Sequence, residues 1–502
     1  MVISRYNSRK SQALRDLQKK LYAFQFALNA IDFDAQTVAP SESYPGRGEA
    51  LEVLSGIKYS LIADPSLPAL LEKARSEERT EQEAAEVAEL QRMYDETSKI
   101  PAQEYAAFVK LTTAAVNAWE KAKAASDFSL FAPYLEQIVA YRRRTAAYFD
   151  ANKAPYDVWL DQYEKGLSMA QCDAFFDQLK AVIQPLVKEI GQRGAKIPSD
   201  FLKGTWPIEA QKMLSAAVMK LMGIDESHCV LSESEHPFTT EFYKGDVRIT
   251  THYHEDDMAS NLYSVIHEGG HALYELHMAD RLQYTCLSGG ASMGLHESQS
   301  RLCENYLGRS LGFIRSLWPT LTELFPAQLA GVTPEAFYKA VNQCQPSLIR
   351  TEADEVTYCL HVMVRYELEK RLMDGSLAVK DLPAAWNAQM KELLGVEVPD
   401  DAHGVLQDIH WACGDLGYFP SYALGTAYGA QMMASMRKEL DVDGLLEAGN
   451  WAPITGWLEE RIWQYGKEKT PAQLLQNACG GAFDPKFYTD YLVEKYSAIY
   501  QL

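Results

Sequence analysis

The segment His267-Glu268-Gly269-Gly270-His271 is where this chain shows its clearest capacity for chemistry. It is an H-E-x-x-H pattern inside a stretch, 261–278, whose apolar spacing predicts a helix. Residues four apart share a helix face, so the two imidazoles can grip one ion. Glu268 projects beside that face, placed to take a proton from a water that the ion activates. Each glycine costs a helix interior about 1 kcal/mol relative to alanine, so a close neighbour of that backbone is expected. Hydrolysis with zinc is the chemistry these residue types suit.

A catalytic zinc takes three protein ligands and keeps one position open. The longer H-E-x-x-H-x-x-G-x-x-H pattern would need glycine at 274 and histidine at 277. His277 is present, but Tyr274 stands at the glycine position, and an unbroken helix turns His277 onto another face. A glutamate from the next helix is the other common solution. His296-Glu297-Ser298-Gln299-Ser300-Arg301 supplies one, 26 residues beyond His271, and Gly289-Gly290 can reverse the chain between them. Glu304, about two turns further along the same predicted helix, is its rival.

The elements that must position these groups are mostly helical. Apolar spacing predicts helices from Leu14 through Ile31, over about 66–99 and from Pro101 onward. Further patterns cover 128–153, 168–193, 207–222, 297–313, 334–343, 353–373 and 424–440. Periodicity lapses between Cys229 and Tyr253, where 239–243 faces 247–251 across Lys244-Gly245-Asp246, the pattern of a β-hairpin. A strand edge beside the metal helix can pair with an extended peptide backbone. No low-complexity linker and no repeat interrupts the chain. The expectation is one catalytic domain over 1–502, with a helical N-terminal part to about 200 and a zinc-site part from about 201.

Composition narrows the class. Hydrophobic residues make up 47% and charged residues 23%, ample for a large core. The net charge of -20, with no compensating basic block, argues against nucleic acid as a partner. No apolar run reaches the ~18 residues that suggest a membrane span. The basic opening, 1–20, lacks the apolar core of a secretory signal and runs into the first helical pattern. Eight scattered cysteines without a C-x-x-C pair fit reduced thiols of a cytoplasmic protein.

Six ordered motifs then resemble a known family, the thermostable metallocarboxypeptidases named after carboxypeptidase Taq. They stand as His236-Pro237-Phe238, Asp246-Val247-Arg248-Ile249-Thr250, the His267 segment and His296-Glu297-Ser298-Gln299. Ile349-Arg350-Thr351-Glu352-Ala353-Asp354 and Gly404-Val405-Leu406-Gln407-Asp408-Ile409-His410-Trp411 complete the six, and the segment Gly417-Tyr418-Phe419-Pro420-Ser421-Tyr422-Ala423-Leu424-Gly425 beyond them is also similar. The resemblance implies a mainly α-helical, saddle-like body with a deep substrate groove and a small sheet beside the zinc helix. It also implies zinc-dependent release of single residues from peptide C-termini, commonly by a homodimer.

On that resemblance the zinc ligands are His267, His271 and Glu297, with Co²⁺ or Mn²⁺ as substitutes. Glu268 is the general base and acid. Arg350 is the first choice to bind a free C-terminal carboxylate, by motif position, with Arg248 the second. His410 and Tyr422 are the oxyanion donors, Tyr418 is an alternative to Tyr422, and His236 is a substrate contact. The partners are peptides with free C-termini. The same zinc site would also serve a helical endo-oligopeptidase or peptidyl-dipeptidase. A silent zinc or peptide-binding scaffold has no chemical need for Glu268.

Overall fold

The computed structural model describes residues 9–77 and 79–502, so the first eight residues of the basic opening lie outside the described residues. Among the described residues the chain is mainly helical, with one three-stranded sheet. No described helix is long and apolar enough to cross a membrane.

Local chemistry sets most helix ends. The metal helix, Met258–Leu276, starts where the Asp257 side chain accepts a bond from the Ser260 amide. Val265, Ile266, Ala272, Leu273 and Tyr274 bury most of its circumference. The predicted 424–440 helix opens earlier, as Pro420–Met436, with proline in its first turn. Residues 353–357 do not join the Tyr358–Asp374 helix. Asp354 captures the Val356 and Thr357 amides there, holding a turn.

The predicted 297–313 helix is three pieces. Met293–Arg301 is an α-helix, Leu302–Gly308 widens into a π-helix, and a new helix begins at Leu311. A side chain on Gly308 would lie 3.0 Å from Ile266 of the metal helix, so the π segment packs hard against it. Such segments are frequent at functional sites.

The hairpin forms as β2 (Thr239–Tyr243) and β3 (Asp246–Thr251), antiparallel, with Thr239 opposite Ile249. The sequence reading missed β1 (Cys229–Glu233), which pairs in parallel with β3 and leaves β2 at an edge. Buried Cys229, Val247 and Ile249 form the apolar face that packs on the metal helix.

Two apolar clusters result. The smaller joins Leu14, Leu21, Ile62, Leu67, Leu71, Val87 and Leu90 of the first helices. The larger runs from Ile100 to Tyr500 and contains the metal helix. All eight cysteines are free.

Candidate active site

The glycines of the metal helix answer to a close neighbour. A Cβ on Gly270 would lie 2.7 Å from the Gln299 carbonyl and the Ser300 Cα. On the other flank, a Cβ on Gly425 would lie 2.8 Å from Glu297. Glu297 is thus wedged between the metal helix and Pro420–Met436. Glu164 caps its helix, accepting bonds from Ser292 Oγ at 2.8 Å and the Gly294 amide at 3.0 Å.

This packing brings the Nε2 atoms of His267 and His271 to 3.7 and 3.5 Å from Glu297 Oε2. One donor atom from each of the three lies within 4.8 Å of the others. The opposite ring nitrogens are already engaged. His267 Nδ1 meets Glu304 Oε2 at 2.9 Å, and His271 Nδ1 meets His296 Nδ1 at 2.6 Å. Glu304 therefore braces His267 from its Nδ1 side and stands outside the cluster that Glu297 joins.

The electrostatics suit a divalent cation. Arg301 Nε donates to Glu297 Oε1 at 2.7 Å, and Arg309 meets Glu304 Oε1 at 3.1 Å. Burial works against ionised carboxylates here, yet the guanidinium groups and imidazoles hold Glu297 and Glu304 well below the usual range. Burial, reinforced by His296, lowers His271 to about 3, which keeps its lone pair available. Burial also opposes charge on His267, but Glu297 and Glu304 outweigh it and push its pKa up. Glu297 and Glu304 pair with Arg301 and Arg309, whereas Glu268 has no ion pair among the described residues, a formal deficit of one positive charge. Two imidazoles, one carboxylate and that deficit fit zinc, and Co²⁺ or Mn²⁺ use the same donors.

Glu268 sits beside the cluster, 7% exposed, and burial raises its pKa. Thr239 Oγ1 of edge strand β2 donates to its Oε2 at 2.5 Å. A carboxylate held by one hydroxyl and raised by burial is suited to exchanging a proton.

A second wall comes from later in the chain. His410 Nε2 lies 3.1 Å from the Tyr422 hydroxyl, and the Tyr418 ring packs 5.1 Å from that of Tyr422. Tyr422 projects from the first turn of Pro420–Met436, not from the loop its sequence suggests. Burial lowers His410 to about 4, with Arg350 and Arg365 adding to the effect against Asp408. Arg350 is buried, and both Nε and Nη2 donate to Asp408 Oδ1, at 3.0 and 2.8 Å. Its Nη1 donates to the Tyr358 hydroxyl at 3.0 Å. Arg365 binds the other Asp408 oxygen, so two guanidinium groups share one carboxylate.

Tyr358 joins the two walls. Arg301 stacks over its ring at 4.3 Å while Arg350 binds its hydroxyl. Neither Tyr358 nor the partner role of Asp408 was foreseen from sequence, because only the fold brings 301, 350, 358 and 408 together. Arg301 was legible, four residues after Glu297 on one helix face.

Two expected substrate contacts make no described bond to the His267–His271–Glu297 cluster. Arg248 forms a two-pronged pair with Asp246, both bonds 2.9 Å, and lies over the Phe242 ring at 4.2 Å. Strand alternation puts it on the sheet face opposite Ile249, away from the metal helix, where it braces the hairpin. His236 is exposed, and only its carbonyl has a described bond, accepted from Ser234 Oγ.

Comparison with known proteins accords with this geometry. Residues 13–496 match the family model described as Carboxypeptidase Taq (M32) metallopeptidase. Carboxypeptidase 1 of Bacillus subtilis is 39% identical over 490 residues, covering 97% of this chain and 98% of that protein. Thermostable carboxypeptidase 1 of Pyrococcus furiosus is 36% identical over 483 residues, covering 95% and 96%. The crystal structure of the M32 carboxypeptidase from Deinococcus radiodurans superposes with a TM-score of 0.96 at 34% identity, covering 99% of this chain and 100% of that one. The chain belongs to the carboxypeptidase Taq family and is a metallocarboxypeptidase, a peptide hydrolase.

Proposed function

We propose that this enzyme releases single residues from the free C-termini of peptides, with zinc held by His267, His271 and Glu297. The observation that carries the reading is the cluster itself, where both Nε2 atoms face Glu297 Oε2 at 3.7 and 3.5 Å and Glu268 sits beside them. When bound, zinc supplies Lewis acidity that activates water and polarises the scissile carbonyl. Glu268 takes the proton of the attacking water on its carboxylate and passes it to the departing amine.

His410 and Tyr422 serve the oxyanion. His410 Nδ1 is buried without a partner, so the tautomer that leaves no buried donor idle carries its proton on Nε2. That proton then goes to the Tyr422 oxygen, which frees the Tyr422 hydroxyl proton to point at the developing charge. Tyr418 packs against Tyr422 and fixes its ring.

The trio Arg350–Asp408–Arg365 carries a formal +1 charge in a buried wall. We infer that this charge, with Arg350 on the Tyr422 side, draws the substrate carboxylate. The edge of β2 supports an extended peptide near Thr239, while Asn29 of the first helix already occupies the Glu241 carbonyl. The family resemblance favours a homodimer, and the eight free cysteines favour a cytoplasmic setting.

The test is mass spectrometry of a peptide and its C-terminally amidated twin, with metal content measured on the same protein. Stepwise loss of single residues from the free peptide alone, absent in Glu268→Gln, supports the reading. Equal internal cleavage of both peptides overturns it in favour of an oligopeptidase.

A further inference from the structure

The two histidines of the cluster are held differently. His267 rests directly on a carboxylate, Glu304. His271 rests on another imidazole, and that imidazole rests on a carboxylate: His296 Nδ1 meets His271 Nδ1 at 2.6 Å, and His296 Nε2 meets Glu275 Oε1 at 2.8 Å. Glu275 lies one turn beyond His271 on the metal helix and is 4% exposed, so it has little water to turn to. The His296 ring is 4.6 Å from that of His271 and 5.4 Å from that of Tyr274. A Cβ on Gly290 would lie 2.5 Å from His296 Cδ2, so the loop leaves room for this one ring position.

Hydrogen-bond direction orders the chain of contacts. A carboxylate only accepts, so His296 keeps a proton on Nε2 and gives it to Glu275. That ring turns its Nδ1 to His271, and a metal on His271 Nε2 requires this Nδ1 to accept. His271 must answer with an N–H on its own Nδ1, which leaves the lone pair on Nε2, the atom facing Glu297.

We propose that Glu275 and His296 form a relay that locks His271 in its metal-binding tautomer. They are positioning residues, Glu275 acting only through His296. The inference rests on the metal-binding reading of the His267–His271–Glu297 cluster. Loss of such an outer contact commonly weakens metal binding about 10–100-fold.

The experiment measures Zn²⁺ affinity of the full chain by competition with a chromogenic chelator, and records the visible spectrum of the Co²⁺ form. His296→Leu removes the acceptor, whereas His296→Asn keeps an oxygen near the Nδ1 position. The relay predicts that His296→Leu weakens binding about 10–100-fold with a changed Co²⁺ spectrum, and that His296→Asn stays within about threefold of the parent. Glu275→Met should weaken binding alone, yet add nothing on the His296→Leu background, because its effect runs through that ring. His296→Leu at parental affinity, His296→Asn as weak as His296→Leu, or full additivity of the two sites overturns the relay. A parent that takes up no metal overturns the metal reading itself, a separate outcome.

Discussion

Around His267 and His271, two of three carboxylates pair with two guanidinium groups, while around His410 two guanidinium groups share a single carboxylate. The first wall is short of positive charge and suits a cation. The second has one to spare and suits an anion. Both are buried, where charges are costly unless paired. The contrast is what the proposed metal and substrate-carboxylate positions each require: opposite imbalances, joined at Tyr358, keep each charge near a partner.

Breaking the first wall at its reactive group should give the largest effect. Glu268→Gln is expected to lower kcat about 10²–10⁴-fold while zinc content, measured by atomic emission, stays at the parental level. Breaking the second wall at its shared carboxylate tests its structural share. Asp408→Asn leaves Arg350 and Arg365 facing a neutral amide, and should cost about 3–5 kcal/mol in urea unfolding. Zinc stoichiometry of the folded fraction should hold, since no cluster ligand is touched.

Tyr422→Phe sharpens the comparison by removing one donor from the second wall. It should reduce kcat about 10²-fold with a smaller change in KM in steady-state assays. A fall confined to KM would mean that Tyr422 binds substrate rather than the oxyanion.

The prediction furthest from the chemistry concerns Glu164, which caps the helix that carries Glu297. Burial raises its carboxyl to about 7 against Ser292, Gly294 and Tyr428, which favour the ionised form. A carboxyl raised on folding binds its proton more tightly in the native state. Its stabilising share is therefore whole below the unfolded value near 4.5 and is lost as pH rises through about 7. Glu164→Gln mimics the neutral acid. It should remove a decline approaching about 1.4 kcal/mol per pH unit across that window, read from chemical denaturation at successive pH values.

How much of this was legible depended on chain distance. His267, Glu268 and His271 declare themselves because helical geometry is local and four residues make one turn. Glu297 was visible as a glutamate opening the next predicted helix, but its rivalry with Glu304 turned on which carboxylate packing sets against Nε2 rather than Nδ1. His410 and Tyr422 were named by resemblance, and the fold brings them to 3.1 Å. For Arg248 the sequence left substrate contact and a brace through Asp246 equally open, and the structure shows the Asp246 pair, because nearness to the metal helix in sequence says nothing about the sheet face a residue occupies. The strand β1 was missed because a parallel partner lies outside any hairpin signal.

The amino-acid sequence by itself determined the helical class, the metal-binding pair with its adjacent base, and the family, since these rest on short-range spacing and on ordered motifs. Only the tertiary structure decided that Glu304 supports His267 while His296 and Glu275 support His271. It alone committed Arg350 and Arg365 to Asp408. The physical reason is that hydrogen-bond partners of buried charges are chosen by distance and direction between elements far apart in the chain, and no local pattern encodes them.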